Sequence, residues 1–474
     1  MSKYATLSCL CAIVVVFISG CETSRPMSLD AAAVNAALKP IPIQTLRVQA
    51  QNIKHPIVKP LQFDERDGLS PDEAAVLAVL ANPLLRAIRD QRGIAQAQLL
   101  SAGILPNPQL STELDLPLNS PGEEKIIRGY NISIDWDVTS LITRQAKIDA
   151  AKAQLSSIDL DIAWQEWQAA QAARIAVFRQ AVLEQELAVA NQINERLEEN
   201  LTIIRNAVEQ QQKTGIDLAA AQAASDEART TALEITRDLQ QQKLTLARLL
   251  GLPTDANIPL QHDIVLPTHL VVPSQAELLN NLEQCRIDLL ALKRGYESQE
   301  ATVRATVLSS FPKINLGINR ARDTSDIHTI GPSIAIDLPI FDRNQGAIAV
   351  EKATRQKLFD EYVNRVFEAR SDIAIALADI DALTKQIESA EDSLPALARL
   401  ADAYKTAYES GSGDVLSFYA AQNDAGKKTI EIWKLKQALM EMHVGLEIAA
   451  GQYIPRPVQQ SLARKQTCSG ESDK

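Results

Sequence analysis

The sequence predicts a mainly α-helical protein with a small β part, built from two structural repeats around long coiled-coil helices. Three observations carry this. From Leu141 to Gln212 there is no glycine or proline. Within that run Leu141, Ile148, Leu155, Ile162, Ala169, Ala176, Leu183, Ala190, Leu197 and Ile204 recur at a strict seven-residue period, the signature of a left-handed supercoil. The order helix, two strands, long helix, returning helix then occurs a second time. At about 1.5 Å per residue the first rod approaches 100 Å, too long for a compact domain, so it must pack on other rods.

Composition agrees. The 474 residues are 46% hydrophobic but only 4% aromatic, the profile of long helices. The formal net charge of −11 argues against nonspecific nucleic-acid binding.

Met1 to Gly20 reads as a secretory signal, with Lys3 at its positive end and Leu10 to Ile18 as its apolar core. Ile18-Ser19-Gly20-Cys21 resembles the lipobox of bacterial lipoproteins, which implies cleavage before Cys21 and lipidation, palmitate included, of its thiol. Glu22 follows where an aspartate would signal inner-membrane retention, which favours the outer membrane. Of the other cysteines, Cys9 and Cys11 leave with the signal, and Cys285 and Cys468 stand in a helical segment and a polar tail, where no structural bridge is expected. Residues 21–68 carry Pro26, Pro40, Pro42, Pro56 and Pro60 with little periodicity and read as an extended tether.

The first repeat spans 69–251. Ser70-Pro71-Asp72-Glu73 opens a helix with a capping residue, a proline at its first position and early acids, running to about Ala102. Two alternating strands follow, with Leu110, Thr112, Leu114 and Leu116, then Ile132, Ile134, Trp136 and Val138. The rod ends at Thr214-Gly215-Ile216-Asp217, and a helix returns from Leu218 to Leu250, closing at Gly251. Residues 252–273 are proline-spaced and read as a linker forming a belt around the middle.

The second repeat, 274–451, answers element by element. Ser274 opens a helix to about Ser310, with Asn82 aligning on Arg286 and Pro108 on Pro312. Its strands hold Ile314, Leu316 and Ile318, then Ile334, Ile336 and Leu338. Its rod runs from Ala347 to Ser410 with a seam at Phe359, Val366, Ile373, Ile380, Ile387, Leu394, Ala401 and Tyr408, kinked at Pro395. Val415 to Ala450 returns and closes at Gly451. The repetition of order, spacing and closure indicates an internal duplication. In each copy two short helices stacked end to end would match one rod. Residues 452–474 form a polar tail expected to be disordered.

Four strands of about nine residues, alternating apolar and polar, have the length and pattern that cross an outer membrane. A soluble sheet with one wet face would alternate too. Four strands cannot stand open in lipid, because edge amides and carbonyls would lack partners. Chains must share a barrel, and three chains of four strands give twelve, enough to begin to leave a lumen.

The stretch Gly331-Pro332-Ser333-Ile334-Ala335-Ile336-Asp337-Leu338-Pro339-Ile340-Phe341-Asp342-Arg343-Asn344-Gln345-Gly346 is similar to the strand-to-helix signature of the TolC-like outer-membrane efflux family. Tyr408 to Gln422 resembles the family's tip, and the Asp342-Arg343-Asn344-Gln345-Gly346 form of the strand-to-helix stretch leans towards metal-efflux members. The resemblance covers roughly Leu69 to Gln452. It implies a homotrimer with a 12-stranded β-barrel in the outer membrane and an α-barrel crossing the periplasm. It also implies tips docked on a periplasmic adaptor joined to an inner-membrane efflux pump. Substrates, metal ions or small toxic compounds, would pass through with no chemistry, so neither enzyme activity nor a cofactor is expected. The alternatives are a periplasmic coiled-coil lipoprotein acting as scaffold or adaptor, and an outer-membrane component of protein secretion.

Candidate entrance residues follow from the tips. Asp217 and Asp414 would ring the entrance and filter cations, or cap helix N-termini. Gly215, Gly411 and Gly413 are expected to form the turns, and Tyr408 to pack in the seam. Trp164 and Trp167, about 35–40 Å along the rod from the strands, are expected in core or belt packing. His55, His262, His269, His328 and His443 are scattered without ligand spacing, so no metal site is predicted.

Overall fold

The structure is a computed structural model that describes residues 24–62, 67–118, 126–262, 264–266, 268–413 and 415–454. The signal, Cys21, Asp414, Cys468 and the tail beyond 454 lie outside the described residues. The chain divides into two units at Pro42. In the first, α1 (Ala31–Ala37) is a short, fully exposed helix capped by Asp30, whose carboxylate accepts from the Ala33 amide at 2.8 Å.

The second unit starts with α2 (Ile43–Gln51), and here the expected tether is corrected. Leu46, Ala50 and Val58 are buried, and Ala50 and Val58 pack with Val76, Val79, Ala163, Trp164 and Trp167. Side-chain chemistry fixes the strap after the helix. His55 accepts the Ile57 and Val58 amides on Nδ1 at 3.1 and 2.9 Å, so the proton sits on Nε2, which donates to the Ala163 carbonyl at 3.0 Å. Burial holds this imidazole below its usual pKa, against the opposing pull of Glu166.

Each repeat's opening helix is broken where the sequence suggests one piece. In the first copy α3 (Pro71–Ala81) starts on a capping box between Ser70 and Glu73 and stops at Asn82. Pro83 disfavours a helical conformation for the residue before it, and Asn82 sits at φ −60°, ψ 120°, where its side chain caps α4 (Pro83–Gly103). After the rod, α5 (Ser140–Glu209), the chain returns through α6 (Gly215–Leu249).

In the second copy α7 (Gln275–Asn280), α8 (Leu282–Cys285) and α9 (Ile287–Leu308) replace the single predicted helix. No proline enforces this break. Arg286 is extended there and is gripped by Asp288 through two bonds of 2.9 and 3.0 Å. The rod α10 (Gln345–Glu409) runs unbroken through Pro395, and α11 (Val415–Ala450) returns.

The closing glycines explain why the breaks matter. Gly251 (φ +63°) lies under the Ala81 carbonyl and beside Pro83, and Gly451 (φ +71°) lies against Cys285 and Arg286. A side chain at either would strike backbone. Each returning helix therefore ends where the opening helix breaks, as the predicted end-to-end stacking requires. The linker seals the same level. Leu69 and Leu260 form a parallel bridge, and Ile264 and Leu266 pack on Phe178, Met440 and Val444.

The strands β1 (Gln109–Asp115), β2 (Gly129–Asp137), β3 (Ile314–Arg322) and β4 (His328–Ile336) form one antiparallel sheet in chain order. The repeats meet at β2 and β3, where Ile134 faces Ile318.

Candidate functional site: sheet wall, belt and rod tips

Alternation puts two different surfaces on the sheet. One face carries Leu110, Ile132, Ile134, Ile318, Leu316, Ile330, Ile334 and Ile336 in mutually facing rows. These are among its most exposed residues, with Ile330 76% and Leu110 65% accessible. The opposite face carries Ser111, Glu113, Asn131, Ser133, Asp135, Asn319 and Ser333, and of these the residues on β2, β3 and β4 are half-buried. A sheet in water shows the reverse. On the polar face Gly317 leaves room for the Asp135 carboxylate, which a Cβ there would strike. Asp135 accepts from Ser133 at 2.8 Å and Ser333 at 3.3 Å. Among the described residues the outer strands β1 and β4 each have one unpaired edge.

Apolar exposure continues along the rods near the sheet. Ile94, Leu100, Leu141, Val350, Phe359, Val363 and Phe367 are exposed, whereas Ile373, Ile380 and Ile387 further along the same seam are buried.

At mid-rod a charged network joins both repeats. Glu447, fully buried, accepts from Gln171 at 2.9 Å, from Arg174, and from the Ile454 amide at 3.2 Å. Arg174 also pairs with Asp72 at 3.3 Å and lies over the Tyr453 ring, which meets Trp167 edge-on at 4.7 Å. Burial works against the Arg174 charge, but Glu447 and Asp72 outweigh it and hold its pKa above the usual value. Both tryptophans are in this belt core, as expected. The network itself was not legible, because its hydrogen-bonded side chains lie up to 276 residues apart.

At the first tip Thr214 and Asp217 form a capping box. Asp217 accepts the Thr214 amide and hydroxyl, both at 2.8 Å, and these bonds lower its pKa. Asp217 itself is half-buried. Gly215 is not the turn former expected: it is the first residue of α6, its φ is not positive, and an added Cβ would meet nothing. Gln211, at φ +60°, makes that turn.

At the second tip Gly411 does take a positive φ of +74°, while Gly413 packs so closely on Ala407 that a Cβ would collide with it at 2.8 Å. Tyr408 stacks on Phe418 at 6.1 Å, with the Lys213 ammonium 5.9 Å from its ring. Phe418 and Tyr419, buried with Leu197, Leu201, Ile204 and Ala221, were missed by sequence reasoning, although both fall within the stretch that resembles the family tip. Burial raises the Tyr419 pKa.

The profile of a family described as outer membrane efflux protein matches residues 278–452. The whole architecture is similar to the outer membrane channel CmeC of Campylobacter jejuni, with a TM-score of 0.68, 14% identity, and coverage of 81% of this chain and 86% of that one. It is equally similar to the outer membrane protein VceC of Vibrio cholerae, at 0.66, 16%, 81% and 96%. The fold is that of the TolC-like outer membrane channels. By sequence the chain is 26% identical over 224 residues to the pyoverdine export outer membrane protein OpmQ of Pseudomonas aeruginosa. That alignment spans 44% of this chain and 45% of OpmQ, so it covers less than half of that relative. Among the described residues no helix is long and apolar enough to cross a membrane. The sheet, by contrast, exposes isoleucines and leucines along one face.

Proposed function

We propose that this chain is one subunit of a trimeric outer-membrane duct that passes small compounds or metal ions outward and performs no chemistry. The observation that carries the reading is the inverted sheet, with its apolar face exposed, its polar face sheltered and both edges unpaired. Such a sheet is stable in lipid only if its edges are closed. The β4 edge of one copy can pair with the β1 edge of the next, and repetition of that head-to-tail contact closes a ring. Three copies of four strands give a twelve-stranded barrel with acidic Glu113 and Asp135 towards the lumen. The exposed apolar residues near the sheet on α4, α5 and α10 would be covered by neighbouring rods.

The rods continue the duct through the periplasm, and the tips around Asp217, Tyr408, Gly411, Gly413 and Asp414 meet a periplasmic adaptor joined to an inner-membrane pump. Lipid on Cys21 supplies a second anchor. The relative named for pyoverdine export supports a small exported compound as cargo as readily as a metal ion.

The test is single-channel conductance of the purified protein in planar bilayers, with the oligomer's mass measured in parallel. Discrete cation-selective steps from a trimer, with selectivity reduced by Asp217→Ala and Asp414→Ala together, are expected. A monomer without conductance, its Cys21 lipid intact by mass spectrometry, overturns the duct.

A further inference from the structure

The apolar face of the sheet is interrupted at one level. Arg320 on β3 shares its row with Ile132 of β2 and Ile330 of β4, so an exposed guanidinium stands between two exposed isoleucines. One row nearer the hairpin ends, Arg322 stands between Tyr130 and His328. Arg128, also exposed, immediately precedes β2. The carboxylate on this side is Asp326, which Arg322 and His328 engage at 2.5 and 3.6 Å. Among the described residues no ion pair or hydrogen bond involves the Arg320 side chain. The nearby acids Glu113 and Asp115 alternate onto the other face.

Three guanidinium groups thus border the apolar face at the end remote from the rods. An arginine on a lipid-facing strand is costly near the bilayer midplane and nearly free at the interface. From Arg320 down to Ile314 is six residues of β3, about 20 Å of strand, which places Arg320 at the upper margin of a hydrocarbon band. Its three methylenes can lie on Ile132 and Ile330 while the head reaches outward. At that level the abundant partner for a planar cation is a phosphate oxygen pair, which guanidinium binds in bidentate fashion.

We infer that Arg320, with Arg322 and Arg128 above it, is a docking surface for the phosphate of an anionic lipid headgroup in the leaflet that faces outward. The inference rests on the membrane-barrel reading above and gives that barrel's outer surface a specific partner. The bound lipid neutralises the rim, fixes how deep the barrel sits, and lies across the ladder rows that join the two repeats.

The test uses full-length trimer reconstituted in phosphatidylcholine bilayers containing a minor fraction of diphosphoryl lipid A, followed by mass spectrometry of lipid retained after detergent exchange. The wild type is expected to retain lipid A over phosphatidylcholine. Arg320→Gln combined with Arg128→Gln should lower that enrichment roughly tenfold, the equivalent of one lost charge-assisted contact. Arg320→Lys should keep part of it, which separates charge from misfolding. Lipid A stripped of its phosphates should not be enriched, and inorganic phosphate should not displace the bound lipid. Equal retention by wild type and double variant, or of lipid A with and without phosphate, overturns the lipid surface. If conductance persists in that case, the duct reading stands without it. Loss of all conductance from the wild type overturns both.

Discussion

The sheet and the belt use similar residues in opposite ways. In the sheet, isoleucines and leucines point out and stay exposed, while Asp135, Ser133 and Asn319 are half-buried. In the belt, Trp167 and Ile162 are sealed inside, and Glu447 and Arg174 are buried with them only because each satisfies the other. The difference identifies the solvent of each region. The belt follows the rule for water, that apolar groups hide and buried charges pair. The sheet follows the rule for hydrocarbon outside and water within. On the duct reading proposed above, one chain spans two media.

The sharpest way to break this comparison is in the belt. Glu447→Ala leaves Arg174 buried without its main partner, for which the expected cost is about 3–5 kcal/mol. The thermal midpoint of the purified protein should fall markedly, and a Glu447→Ala, Arg174→Met double variant should recover a good part of it. A recovered midpoint shows that the unpaired charge, and not lost packing, caused the damage.

In the sheet the same logic is reversed. Ile318→Lys puts a charge on the exposed face midway along β3, which would be harmless in water but costs about 2–4 kcal/mol at a bilayer midplane. Expected outcomes are poor membrane incorporation, read by urea extraction, and unchanged rod helicity by circular dichroism. Full incorporation would mean that this face meets water after all.

Smaller effects belong to the tips and the seam between them and the belt. Thr214→Ala removes the hydroxyl half of the capping box and leaves the residue-214 amide on Asp217; its expected cost is about 1 kcal/mol, seen as faster hydrogen exchange at the start of α6 without change in the belt. Glu186 on α5 is almost fully buried, and burial raises its pKa to about 7, against the opposing influence of Lys434. A carboxyl that is raised in the folded state binds protons more tightly there than when unfolded. Its contribution is therefore fully present below the ordinary carboxylate range and is lost as pH rises towards and through about 7. Glu186→Gln should flatten the loss of stability measured between pH 5 and 8. An unchanged pH profile would place the sensitivity elsewhere.

The rods, strands and duplication were legible because they are periodic. Ile162, Ala190, Leu197 and Ile204 are buried where the heptad places them, and all four expected strands are present, although β4 starts at His328 and ends at Ile336, short of Leu338. What was missed has no period. The break at Asn82 had a signal in Pro83, but its counterpart at Arg286 depends on Asp288 and the close approach of Gly451, and no local rule marks it. Residues 43–61 looked like tether because proline and polar residues dilute the pattern. Their attachment rests on a few buried side chains and on His55, each dependent on a surface made by α3 and α5. Gly215 misled for a related reason: glycine after a helix suggests a left-handed turn, yet the turn had already been made at Gln211.

The sequence by itself determined the element types, the two repeats and the polarity of each sheet face, since these follow from spacing along one chain. Only the tertiary structure decided where the helices break, how Arg174 meets Glu447, and which way the sheet is turned. Those depend on residues far apart in the chain, and a pattern of period two or seven records which face a side chain takes but not what that face will meet.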